Sequence, residues 1–171
     1  MQLTITRPDD WHIHLRDSHA LTTTVPDTAR VFRRAIVMPN LKPPIETVEQ
    51  ARSYRNRILK ARSGHDKFEP LMTLYLTSNL SPEIIREAGN TGFIKGVKFY
   101  PQGATTNSEA GISSLDSVMP TLEAMVEHAI PLLMHGEAIN RNIDIFDREA
   151  VFLEQTLEPL IQRLPELRLV L

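Results

Sequence analysis

The chain has 171 residues, 42% of them hydrophobic and 23% charged, with a net charge of −2 and a pI of about 6.3, which excludes a disordered or fibrous protein and leaves material for a sizeable core. Its 19 Lys and Arg are scattered, with no basic cluster interleaved with aromatic residues, so nucleic acid is not the expected partner and a small acidic or neutral ligand fits better. There is no cysteine, so any metal must be held by histidine, carboxylate or something less usual.

The N-terminal MQLTITRPDD lacks the basic-then-apolar layout of a signal peptide, and no apolar run approaches the roughly 18 residues needed to span a bilayer. A cytoplasmic protein is expected. Short apolar runs predict strands at 11–15, 35–38, 71–76, 96–100, 132–135 and 167–171. Helical patterns lie between them. The first, within 21–32, is blurred by Pro26. The second, 47–59, has Thr47 as N-cap and Glu49 in its first turn. Ser81-Pro82-Glu83 opens the third, 81–90, and the last two cover 116–128 and 147–164.

Strand alternating with helix predicts a parallel sheet, and the continuous apolar character of the strands predicts that both faces are covered. No GxGxxG or GxxxxGK[ST] follows a strand, which counts against an open nucleotide-binding sheet. Polar residues instead gather at the ends of several strands: His12 and His14, Asn40, Lys98 and Tyr100, His135 and Glu137. A barrel collects its active site in this way, so the predicted fold class is α/β, a (β/α)8 TIM barrel of which these are the first six strands. Residues 1–171 then read as the N-terminal part of a single barrel domain, in a chain roughly twice as long.

In DWHIHLRD, strand alternation puts His12 and His14 on one face and Trp11, Ile13 and Leu15 on the other. Two imidazoles on one face can grip a metal ion; the alternative is a strand that merely carries two histidines. Asp10, Arg16 and Asp17 crowd the same short strand, where Arg16 either serves a site or makes a strand-end salt bridge. Lys98, in GVKFYP, either snorkels to the rim or loses its proton through burial. A neutral lysine there can attack carbon dioxide, giving a carbamate able to bridge two cations. His135 follows an apolar run and joins the same rim, whereas His19, His65 and His128 lie in a turn, a loop and a helix end. The Gly, Ser and Thr-rich GATTNSEAGISS is long for a barrel loop and is a candidate lid.

DWHIHLRD, RAIVMPN, KFYP followed by ATTNS, LLMHGE and DIFDREA resemble, in order through essentially the whole chain, the dihydroorotases of the shorter, bacterial type in the amidohydrolase superfamily. The resemblance implies a (β/α)8 barrel with two Zn2+ ions and reversible conversion of N-carbamoyl-L-aspartate to L-dihydroorotate in pyrimidine biosynthesis, by a cytoplasmic homodimer. It implies His12, His14, Lys98 as a bridging carbamate, and His135 as metal ligands. The substrate positions it implies are His14, Leu15, Arg16, Asn40, Thr105, Thr106 and His135. A further histidine ligand, expected within about three residues after Leu171, and an acid/base aspartate on the last strand lie outside these residues, so this chain alone is expected to be inactive. Two alternatives stand beside this reading: another cyclic amidohydrolase, of the dihydropyrimidinase or allantoinase kind, and a non-catalytic homologue or inactive fragment acting as an assembly partner.

Overall fold

A computed structural model describes residues 3–140 and 142–171. Six strands, β1 (Asp10–Ile13), β2 (Arg34–Val37), β3 (Glu69–Tyr75), β4 (Ile94–Phe99), β5 (Leu132–Met134) and β6 (Leu169–Val170), pair in parallel in the order of the sequence. Each crossover advances by one strand in the same direction. The sheet therefore curves as an arc of a barrel and has no point where strand order reverses, as a doubly wound sheet must.

The intervening helices are α1 (Leu21–Val31), α2 (Val48–Lys60), α3 (Pro82–Gly89), α4 (Met119–Glu127), α5 (Arg148–Phe152) and α6 (Glu158–Arg163). The start of α2 follows from its cap: Thr47 Oγ1 accepts from Gln50 N at 3.2 Å while Gln50 Oε1 accepts from Thr47 N at 3.0 Å. Pro26 does not break α1, because Leu21, Val25, Thr28 and Ala29 recur on one buried face and that burial outweighs a lost backbone bond. The predicted helix 147–164 is three pieces, with a π-helical turn (Leu153–Leu157) between α5 and α6. Pro159, which cannot donate to the preceding turn, sits just beyond that widening. The helix predicted at 116–128 likewise opens with a 3-10 turn (Leu115–Val118) ahead of Pro120.

β1 departs from strict alternation. Its register against β2 runs Asp10↔Ala35 and then Ile13↔Val37, so one extra residue is accommodated between. Upstream of that bulge the alternation flips, and Trp11, expected beside Ile13 and Leu15 on the helix side, is 61% exposed. Leu15 keeps its predicted place and is fully buried.

Two apolar layers result. The larger lies between strands and helices and includes Val37, Leu74, Val97, Leu132 and Met134; the smaller is on the concave face and consists of Ile36, Met38, Leu71 and Leu133. Leu74→Ala, at a fully buried position in the larger layer, should cost roughly 2–5 kcal/mol of unfolding free energy. Thr47→Ala, which loses only the cap, should cost about 1 kcal/mol. Urea midpoints of the two variants measure both.

Candidate metal centre

Strand register decides which side chains face the hollow of the arc. Ile36 pairs with Leu71, Tyr75 with Lys98, and Lys98 with Leu133, and paired residues share a face. Lys98 therefore lies on the concave side, as do residues two positions further along, including Tyr100 and His135. Ile13 pairs with Val37 of the helix-side layer, which turns His12 and His14 to the concave side as well. The sequence had put His14 and His135 inside strands; each is one residue past a strand end, still held by ladder bonds from Met38 N to Ile13 O (2.9 Å) and His135 N to Phe99 O (3.1 Å).

The two imidazoles meet: His12 Nε2 and His14 Nε2 are 3.2 Å apart, with rings tilted at 51°. A tetrahedral zinc with Zn–N bonds of about 2.0–2.1 Å separates two ligand nitrogens by about 3.3 Å, so the pair already has that bite. Both rings favour the neutral form that a cation needs. Partial desolvation, then the Lys98 ammonium and His14, push His12 down to about 4. Burial, then the Arg16 guanidinium, lower His14. His14 Nδ1 is buried without a partner. Among the described residues no three His, Cys, Asp or Glu side chains cluster closely enough to hold an ion by themselves; the Lys98 amine falls outside that set of residue types.

Lys98 is only 3% exposed, and its ammonium has no ion pair or hydrogen bond among the described residues. Its nitrogen lies 5.1 Å from the centre of the Tyr100 ring, and that ring is 6.1 Å from His135 and 5.2 Å from Tyr75. Desolvation alone pushes Lys98 down to about 8. At 3% exposure the side chain as a whole is withdrawn from the rim.

Arg16 sits at the rim with φ 59° and Ser18 at 54°, left-handed conformations that non-glycine residues adopt only where the surroundings impose them. Two contacts impose them here. Tyr54 Oη donates to the Arg16 carbonyl, and Asp17 is gripped by Arg57 through bonds of 2.9 and 2.7 Å. The strand-end salt bridge considered for Arg16 does not form, because Arg57 takes Asp17 and Asp10 Oδ1 accepts from His12 N. Arg16 Nη1 is buried with no partner among the described residues. Asn40, buried, donates from Nδ2 to the Thr106 carbonyl (2.8 Å), and Asn107 Nδ2 donates to the Asn40 carbonyl (3.1 Å).

The segment 101–114 thus folds over the rim, turning about the buried Ser108. Gly111 permits its close return, since a Cβ there would stand 2.4 Å from the Tyr100 carbonyl. Thr105 and Thr106 are exposed. Leu15 is the predicted substrate position that the fold turns away: its side chain is in the helix-side core and its carbonyl accepts from Thr24 Oγ1 at 2.8 Å, so only its main-chain N–H is left for a ligand.

The residues that brace this rim leave no local mark in the sequence. Tyr54, Arg57 and Arg148 are on helices, 38, 40 and 11 residues from the groups they hold; helical amphipathicity marks Tyr54 as core but says nothing of its hydroxyl. Arg148 Nη1 donates to Glu137 Oε1 at 3.1 Å, while Glu137 Oε2 is 3.3 Å from His135 Nε2. The Arg148 bond, offset by some burial and aided by His135, holds the Glu137 carboxyl below the usual carboxylate range.

Comparison with known proteins follows the same lines. The sequence model of the amidohydrolase family matches residues 8–170. A dihydroorotase of Ralstonia pickettii (strain 12J) is 61% identical over 98% of this chain and 49% of its own. The crystal structure of a Campylobacter jejuni dihydroorotase superposes with a TM-score of 0.86 at 41% identity, covering 95% of this chain and 46% of that one. A Saccharomyces cerevisiae dihydroorotase in complex with 5-fluoroorotic acid gives 0.87 at 33% identity, covering 96% and 46%. The chain spans about half the length of the curated relatives it matches.

Lys98 leads to a pH test. Its folded-state value, about 8, lies below the ordinary 10.5, so between those two pH values the unfolded chain binds more protons and stability must rise with pH. In metal-free protein without bicarbonate, Lys98→Met should flatten that rise and should be at least as stable at pH 7. Urea unfolding across the window measures it, and parallel profiles for the two proteins would mean that Lys98 titrates normally.

Proposed function

The chain belongs to the amidohydrolase family, and from that premise we propose that the full-length protein is a dihydroorotase, opening the cyclic amide of L-dihydroorotate to N-carbamoyl-L-aspartate and closing it in reverse, in pyrimidine biosynthesis. Residues 1–171 would be the N-terminal part of its single barrel domain, and the enzyme a cytoplasmic homodimer. The observation that carries this reading is a buried lysine without a counter-charge among the described residues, near two histidines whose Nε2 atoms stand 3.2 Å apart. The dihydroorotases among its relatives support the substrate.

His12 and His14 would hold one zinc and His135 the second. Neutral Lys98 would add to carbon dioxide, forming an N–C bond and releasing one N–H proton, and the resulting carbamate would give an oxygen to each metal. When bound, such a pair lowers the pKa of a water towards neutrality and polarises an amide carbonyl.

Substrate orientation falls to the rim. Arg16, whose Nη1 has no partner among the described residues, would offer a fork of donors to the substrate carboxylate. Asn40 would add its amide donor by releasing the Thr106 carbonyl. The main-chain N–H of Leu15, together with His14 and His135, would line the same hollow. Thr105 and Thr106, on the segment already folded over Asn40, would close on the ligand and exclude water.

Purified full-length protein should turn over dihydroorotate, and should do so in preference to dihydrouracil or allantoin, which lack the carboxylate. Preference for either neutral ring would favour the alternative cyclic amidohydrolases. No turnover together with no bound zinc would favour the assembly partner.

Replacing Arg16 with Met removes a charge-assisted contact worth roughly 1.5–3 kcal/mol, so kcat/KM should fall at least about tenfold. Zinc content should stay constant, and Asn40→Ala should behave in the same way but more mildly. Loss of zinc in either variant would reassign these residues to metal support. Lys98→Ala should lose most activity and at least one zinc, with partial recovery of both on adding a short carboxylic acid that can occupy the vacated bridge.

A further inference from the structure

We propose that Glu137 is a positioning residue for His135: its carboxylate fixes the imidazole in the tautomer protonated at Nε2, leaving the Nδ1 lone pair to face a metal ion. The inference rests on the reading of His135 as a ligand and specifies which nitrogen binds. Glu137 Oε2 is 3.3 Å from His135 Nε2, the sole side-chain hydrogen bond of that ring among the described residues. An ionised carboxylate only accepts, so a neutral imidazole meeting it through Nε2 must carry its proton there.

Glu137 is not free to swing away. Its other oxygen accepts from Arg148 Nη1 at 3.1 Å, and the Arg148 main-chain carbonyl accepts from Ala138 N at 3.1 Å. One residue at the start of α5 therefore holds both the carboxylate and the backbone beside it. Arg148 Nε is buried with no partner, which leaves Glu137 as the one anion it pairs with among the described residues. Metal-binding histidines elsewhere are oriented in this way, through the nitrogen that does not bind, and losing the outer partner weakens metal affinity by about 10–100-fold.

The test uses the full-length protein and two readouts that need no substrate. In metal-free protein, ring 15N shifts of His135, assigned by their absence in His135→Asn, should report the Nε2–H tautomer. Glu137→Ala should give a mixture of tautomers, and competition with a chromogenic chelator should show the weaker of two zinc sites weakened by about 10–100-fold. Two zinc ions should still bind at saturation. Glu137→Gln, which keeps a neutral acceptor in place, should retain the Nε2–H tautomer and lose less affinity.

An Nδ1–H tautomer in the unaltered protein would overturn the proposal, whether or not Glu137→Ala folds. So would unchanged zinc affinity in a folded Glu137→Ala. A stoichiometry reduced by one at saturating zinc would overturn it in another way, by making Glu137 itself a ligand. Because neither readout involves dihydroorotate, failure to turn that substrate over would refute the proposed function and leave this inference standing.

Discussion

A lysine buried on the concave face of a parallel sheet, with no counter-charge among the described residues, is the constraint around which the rest is arranged. Taking an ammonium out of water is costly, and here desolvation pushes Lys98 down to about 8 with no carboxylate to offset it. A protein aiming only at stability would place an aliphatic residue there, as it does at Leu71 and Leu133 on the same face. The cost makes sense if the amine is consumed. As a carbamate, the form proposed above, the group would be an anion, and the two imidazoles 3.2 Å apart would be its partners in holding cations. The surroundings suit that change: burial lowers the proton affinity of both His12 and His14, and the Tyr100 ring, 5.1 Å from the lysine nitrogen, supplies no charge.

The rim repeats this logic with fixed cations. Arg16 is held in a left-handed turn by Tyr54 and by the Asp17–Arg57 pair, both reaching from α2. The pair satisfies the acid that would otherwise neutralise Arg16, and so leaves one guanidinium for an anionic ligand. At the other side of the hollow, Arg148 holds Glu137 against His135. In both places a helix supplies an arginine that fixes a carboxylate beside a candidate site residue, so rigidity comes from the outer layer and chemistry from the strand ends.

Much of this was legible in the sequence, for identifiable reasons. Parallel strands buried on both faces leave continuous apolar runs, and caps such as Thr47 leave a local mark, so element order could be read directly. The alternation of HxH put His12 and His14 together because the period of two survives the end of β1. It failed at Trp11, since a one-residue bulge leaves no sequence signature. The helix from 147 to 164 was read as unbroken because propensity alone does not report how Pro159 is accommodated. The resemblance names Leu15 as a substrate position without saying which of its atoms is meant, and the fold commits its side chain to the helix-side core. Arg57, Tyr54 and Arg148 were out of reach, because contacts across 11 to 40 residues are made by the fold and not by local pattern.

The chemistry of the hollow turns on whether Lys98 carries a carboxyl group. A high-resolution crystal structure of the full-length protein, grown with zinc and bicarbonate, should show planar density continuous with Lys98 Nζ, with one oxygen directed to each of two metal ions. A bare ammonium at Lys98, with both metals in place and another group between them, would contradict it.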